Sequence, residues 1–195
     1  MWHVARLAFL ALSASLALRA EAGVALYLDI NQLEPLAVQE MKTEFSSLTE
    51  PLGLRAEWRS LTARDRMGET GRLIVVRFLG ACATTSEASS VESGQAVASV
   101  QEIDGRILPF SDVHCDALVS LIRPSLKDRT TYQQRALLGR ALARILAHEV
   151  YHVVGQTHDH ASEGIAKARL NATELTTRTA QLSPPSSDAA SSDGR

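Results

Sequence analysis

Residues 130–158 have the sequence TTYQQRALLGRALARILAHEVYHVVGQTH, and this stretch decides the fold. It contains no proline, and Gly139 is its only glycine before the last few residues, so it predicts a long helix over about 130–154. Apolar side chains fall within one broad arc of that helix: Leu138, Leu142, Ile145, Leu146, Val150 and Val153. We therefore expect this arc to pack on a sheet. The opposite side faces a cleft, with Arg140 and Arg144 on a solvated surface.

The end of this helix carries the pattern HExxHxxGxxH over residues 148–158. At about 100° per residue, His148 and His152 differ by about 40° around the helix and by one turn along it, so both imidazoles can meet one metal ion. Glu149 lies about 100° from His148, beside the metal rather than on it. That offset suits a carboxylate that deprotonates a metal-bound water.

The pattern also predicts a third ligand. Gly155 tolerates a positive φ, so we expect it to end the helix and to let the chain reverse until His158 supplies a third nitrogen. Three protein ligands leave one position open, as catalytic zinc requires. His160 competes with His158 for this role, and Glu163 or Glu174 is the alternative if the site combines two histidines with a carboxylate.

The rest of the chain predicts a mixture of strands and helices. Short apolar runs, broken by Pro, Gly and Asp-Gly, indicate strands over 24–30, 54–61, 73–79, 96–103 and 107–113. Helical spacing follows Pro35, and shorter helices are expected over 114–121, where Pro124 stops the first, and over 173–179. Residues 80–95 are small, polar and aperiodic, which is typical of a surface loop.

Composition bounds the class of protein. The 195 residues are 45% hydrophobic and 22% charged with a formal net charge of −2, which is typical of one globular domain. There is no basic stripe to neutralise phosphates, so we expect no nucleic-acid partner. The predicted domain spans 23–182, and residues 183–195 (SPPSSDAASSDGR) have the composition of a disordered tail.

The first residues predict export. Residues 7–18 (LAFLALSASLAL) are apolar and uncharged, and Ala20-Glu21-Ala22 has the small-x-small pattern of a cleavage site. We interpret residues 1–22 as a secretory signal peptide, with an uncleaved N-terminal anchor as the alternative. The apolar run is shorter than the about 20 residues of a membrane span. The protein is therefore expected to be secreted or periplasmic, with no transmembrane segment after cleavage.

The chain resembles the metzincin clan of zinc metallopeptidases through five residues: His148, Glu149, His152, Gly155 and His158. The resemblance implies that the three histidines bind Zn²⁺ and that Glu149 acts as general base and then as general acid. It also implies that the reaction is peptide-bond hydrolysis. The implied fold is zincin-like α+β: a twisted, mostly parallel five-stranded sheet with an antiparallel edge strand, a backing helix, the long active-site helix and a very small C-terminal subdomain.

Further expectations follow from this resemblance. Its strand order would place strand 73–79 beside strand 107–113, so Cys82 and Cys115, which follow these strands, would form a disulfide. The edge strand over 96–103 would pair with an extended peptide substrate.

The chain departs from the clan in two respects. The segment after His158 is short, so we expect the lower half of the cleft to be small. The second departure is the methionine turn. Metzincins have a methionine turn beneath the metal, but this chain has no methionine after Met67. Residues 162–167 stand where that turn would be, with an aliphatic residue as the floor.

The leading hypothesis is a zinc peptidase acting on a peptide or protein substrate. A zinc-binding module that recognises a partner without turnover is the alternative, and a globular domain without metal is a third possibility. The intact Glu149 favours the enzyme, because a purely structural metal site needs no base.

Overall fold

The computed structural model describes residues 22–61, 72–85, 95–178 and 180–182. The predicted signal peptide lies outside the described residues except for Ala22, which begins the first strand. The predicted tail over 183–195 also lies outside them, as does part of the loop over 80–95.

The described residues form five strands and four helices. The strands are β1 (Ala22–Leu28), β2 (Leu54–Ser60), β3 (Leu73–Leu79), β4 (Ala98–Ile103) and β5 (Arg106–His114). The helices are α1 (Pro35–Thr49), α2 (Cys115–Leu126), α3 (Thr131–Gly155) and α4 (Ala172–Thr176), with short 3₁₀ turns at Ile30–Gln32 and Glu50–Leu52. The predicted order of elements is confirmed.

The five strands form one sheet in the order β2-β1-β3-β5-β4. All neighbours are parallel except β4 and β5, which form an antiparallel hairpin at the edge. Asp104 and Gly105 connect these two strands with φ values of 51° and 74°, as a tight hairpin turn requires. The predicted α+β class, with a mostly parallel sheet and an antiparallel edge pair, is confirmed.

The helix boundaries differ from expectation in two places. Pro124 does not stop α2 at its predicted end, because the helix continues to Leu126. The last turn still buries Ile122 and Leu126, so core packing offsets the hydrogen bond that proline cannot donate. Helix α4 begins with a capping box formed by Asn171 and Glu174 and ends earlier than predicted, at Thr176.

Helices α1 and α3 pack closely against each other. The side of α1 that carries Met41 and Phe45 is fully buried. Gly139 permits the close approach, since a Cβ added there would lie 2.4 Å from the backbone oxygen of Ala37. A capping box at Thr130 begins α3, so the orientation of the long helix is fixed at its start and by its contact with α1.

The face of α3 that carries Arg140 and Arg144 is not the solvated surface that the sequence predicts. Arg144 is 0% exposed, and its Nε and Nη2 donate to Oε1 of Glu44 at 2.8 and 2.7 Å. Its guanidinium also donates to the carbonyl oxygens of Glu174 and Thr177 at 2.6 and 2.5 Å. The prediction of a solvated Arg144 is therefore wrong. Its guanidinium joins α3 to α1 and α4, and these hydrogen bonds compensate the burial of its charge.

A disulfide joins Cys82 to Cys115, as expected. Strand β3 lies beside β5, so the residues that follow the two strands meet at one end of the sheet. None of the helices in the described ranges combines the length and the apolar character needed to cross a membrane.

Candidate metal centre

The last turns of α3 bring His148 and His152 together on one face of the helix. Their Nε2 atoms are 3.0 Å apart, and the ring centroids are 4.7 Å apart. Two imidazoles spaced by four residues therefore point at a common position, as the sequence spacing predicts.

His160 completes a cluster of three imidazoles. Its ring centroid lies 5.3 Å from that of His148 and 4.8 Å from that of His152. One nitrogen from each of the three side chains lies within 4.8 Å of the other two. Three imidazoles in this arrangement are a donor set compatible with a zinc site.

The structure does not bring His158 into this cluster. The His158 side chain is 58% exposed, and its Nε2 lies 3.2 Å from Oε2 of Glu102 on β4. The histidine that joins the pair is the one two residues further along the chain.

The position of the chain reversal explains part of this difference. Gly155 remains in the helix, and Gln156 adopts the left-handed conformation instead, with φ 48° and ψ 43°. The Gln156 side chain holds this conformation, because its Nε2 donates to the carbonyl oxygens of Ile107 and Val153 at 3.0 and 2.9 Å. The prediction that Gly155 takes a positive φ is wrong, and the helix runs one residue further than expected.

Backbone carbonyls fix the tautomers of two histidines. Nδ1 of His148 lies 2.8 Å from the carbonyl oxygen of Ile165, and Nδ1 of His152 lies 2.7 Å from that of Thr157. A carbonyl oxygen can only accept, so each Nδ1 carries the proton and donates it. The lone pair of each Nε2 is then directed at the common position. Histidines that bind metals commonly donate their other ring N–H in this way.

Residues 162–167, which stand in place of the methionine turn, form a loop after the histidine cluster. Ala161 N–H donates to the carbonyl of Ala166 at 2.9 Å, closing a loop in which Gly164 has φ 73°. Ile165 and Ala166 are buried, and Ile165 belongs to the hydrophobic core. An aliphatic residue therefore takes the buried place in this loop, and its carbonyl holds His148.

Burial keeps the histidine pair neutral. It lowers the pKa of His148 to about 4, and the neighbouring imidazoles act in the same direction, whereas the hydrogen bond that His148 donates to the carbonyl of Ile165 acts in the opposite direction. Burial likewise lowers the pKa of His152. Both nitrogens that face the common position are therefore available to a cation near neutral pH.

Glu149 is 5% exposed, and its carboxyl makes no hydrogen bond or ion pair with any residue that the structure describes. Burial raises the pKa of its carboxyl to about 7. Glu149 and His148 both line a cavity of about 440 Å³. A carboxyl with a pKa near neutrality, beside the three-histidine cluster and a cavity, can both accept and donate a proton at physiological pH.

The two carboxylates considered as alternative ligands have other positions. Oε1 of Glu174 pairs with Nζ of Lys167, and Oε2 accepts from the backbone N–H of Asn171 at 2.9 Å. Glu163 is exposed and does not belong to the three-histidine cluster found among the described residues.

Sequence patterns could not reveal several parts of this site. The carbonyl groups of Thr157 and Ile165 act through the backbone, so their residue types carry no signal. Lys167 and Arg169 line the cavity from a segment without periodic pattern, and only the fold places that segment beside α3.

Comparison of the chain with protein-family models, with curated proteins and with solved structures found no match.

Proposed function

We propose that this protein is an exported, zinc-dependent peptidase in which His148, His152 and His160 hold the metal and Glu149 is the general base. The observation that carries the proposal is the buried, unpaired carboxyl of Glu149 beside the three imidazoles and the cavity. The disulfide supports export, because such bonds persist in oxidising compartments.

The histidine cluster would hold the ion through nitrogens whose orientation the backbone already fixes. His148 and His152 are oriented by their bonds to carbonyl oxygens, so little rearrangement is needed on binding. Bound zinc supplies Lewis acidity toward a carbonyl group and toward water.

Glu149 would move the protons of the reaction. Its carboxylate takes a proton from the attacking water, and the resulting carboxylic acid then gives that proton to the departing amine. A pKa near neutrality suits both halves of this task, because neither protonation state is strongly disfavoured.

Strand β4 offers a place for an extended peptide. It is the last strand in the sheet, and β5 pairs with it on one side. Residues 95–98, which lead into β4, also line the cavity that contains Glu149. A peptide that adds to this edge would run past the proposed base.

The test compares zinc-loaded wild-type protein with Glu149→Gln. We expect both to hold about one zinc per chain, and Glu149→Gln to hydrolyse casein and a mixed peptide library at least about a hundredfold more slowly, since a general base contributes that much. Glu163→Gln removes an exposed carboxylate nearby and serves as the matched control. A zinc-loaded wild type that cleaves no peptide would refute the enzymatic proposal and favour a zinc-binding recognition module.

A further inference from the structure

The cavity beside Glu149 has an apolar wall. It lies between the residues leading into β4, helices α2 and α3, and residues 167–170. Four aliphatic residues line it: Val97, Leu121, Ile145 and Leu170. All four are buried or half-buried, and the volume of about 440 Å³ is large enough for a side chain.

Of the two basic residues that line the cavity, Lys167 has an acidic partner and Arg169 has none among the described residues. Lys167 is neutralised by its ion pair with Glu174. Arg169 is exposed and makes no hydrogen bond or ion pair with any part of the chain that the structure describes. Among the described residues that line the cavity, Glu149 is the only acidic one, and the proposed reaction uses it as the base.

An uncompensated guanidinium at an apolar cavity is suited to a carboxylate. Arginine presents donors in a fork that matches the two oxygens of a carboxylate, and such bonds are stronger than neutral ones. The aliphatic residues would contact the carbon atoms that carry this carboxylate. A cationic group would be repelled by Arg169.

We propose that Arg169 makes this site select peptides that place a carboxylate in the cavity, either on an Asp or Glu side chain or at the C-terminus of the peptide. Arg169 is thus a specificity-determining residue. The inference rests on the proposed function, because it assumes that the occupant of the cavity is a peptide.

Binding tests this inference without turnover. The probes are fluorescein-labelled peptides that differ at one position, Glu or Gln, with an amidated C-terminus, and a third peptide with Gln and a free C-terminus. They are titrated against zinc-loaded Glu149→Gln protein. We expect at least one carboxylate peptide to bind about tenfold more tightly than the amidated Gln peptide, the ratio given by one charge-assisted hydrogen bond.

Adding Arg169→Gln to the Glu149→Gln protein should abolish the preference for the carboxylate peptide. Adding Arg169→Glu instead should reverse the preference, toward the amidated peptide with Lys at the varied position. Arg129→Gln, which removes an exposed arginine ahead of α3, should leave it unchanged. The preferred peptide identifies the source of the carboxylate, a side chain or a terminus. Equal binding of all peptides, no binding of any, or a preference that survives Arg169→Gln would overturn the inference.

Turnover separates this inference from the proposed function. Wild-type protein that cleaves peptides without regard to acidic residues or to a free C-terminus would contradict the role of Arg169 and leave the peptidase proposal standing. Wild-type protein that cleaves nothing, while the carboxylate preference depends on Arg169, would refute the peptidase and retain the carboxylate site.

Discussion

Burial shifts the pKa values of single residues of the site away from those of the free side chains. Burial raises the pKa of Glu149 to about 7 and lowers that of His148 to about 4. Both shifts disfavour the charged form, so the metal-free site is costly to fold at the pH values where these groups would ionise in the unfolded chain. This cost is the one expected if the site holds a cation and Glu149 acts as the proposed base.

The cost at Glu149 predicts a stability change in the metal-free protein. A raised pKa means that the folded chain binds more protons than the unfolded chain between pH 4.5 and about 7, so stability from this group falls as pH rises through that window. Glu149→Gln has no carboxyl to ionise, so its stability does not fall for this reason as pH rises. The free energy of unfolding of the variant, relative to wild type, should therefore increase from pH 4.5 to pH 8 by up to about 3 kcal/mol.

Urea denaturation of both proteins in chelator, at several pH values, measures this difference. Glu163→Gln is the control, because its carboxylate is exposed and the relative stability of that variant should change little with pH. A difference between Glu149→Gln and wild type that stays constant from pH 4.5 to pH 8 would show that Glu149 ionises normally.

At the scale of elements, α3 positions the site because both of its ends are fixed. Thr130 caps its start, α1 packs along its middle at Gly139, and Gln156 ends it in the left-handed conformation. Arg144 ties α4, and with it the chain beyond the site, to the same helix. The two glycines of α3 therefore have different roles, one in packing and one near the C-terminus of the helix.

Replacing each glycine by alanine should separate these roles. Gly139→Ala places a Cβ 2.4 Å from the Ala37 carbonyl, so we expect it to destabilise the protein by about 1–3 kcal/mol through overpacking. Gly155→Ala meets only a side-chain methyl of Thr157 at 3.2 Å and keeps a helical backbone. It should be neutral or stabilising, since alanine favours helix.

Thermal and urea unfolding of the two variants checks this order. If Gly155 had a positive φ, Gly155→Ala would be the more destabilised of the two proteins. That result would contradict the helical backbone of Gly155.

At the scale of the whole molecule, periodicity predicted the elements but not the tertiary details. Apolar runs and the Asp-Gly turn located all five strands, and the spacing of His148 and His152 placed them on one face. The choice between His158 and His160 depends on where the chain reverses. Two hydrogen bonds hold Gln156 in the left-handed conformation at this reversal, one to the distant carbonyl of Ile107 and one to the local carbonyl of Val153. The bond to Ile107 depends on the tertiary fold, so no local pattern predicts it.

The sequence pattern also did not predict that the charged side chain of Arg144 is buried. Arg144 falls on the polar side of the helix by its spacing, yet it is buried because Glu44 and the end of α4 surround it. The cavity that contains Arg169 is built from four separate parts of the chain, so its composition becomes visible only after folding. Contacts between distant segments thus determine the parts of the site that the motif leaves open.

The third metal ligand is the most direct test of this account. Zinc content after dialysis against a weak chelator should be about one per chain for wild-type protein and for His158→Ala, and should fall to near zero for His160→Ala, because His160 joins the cluster and His158 faces Glu102. Loss of zinc from His158→Ala with retention by His160→Ala, or a wild type that binds no zinc, would contradict it.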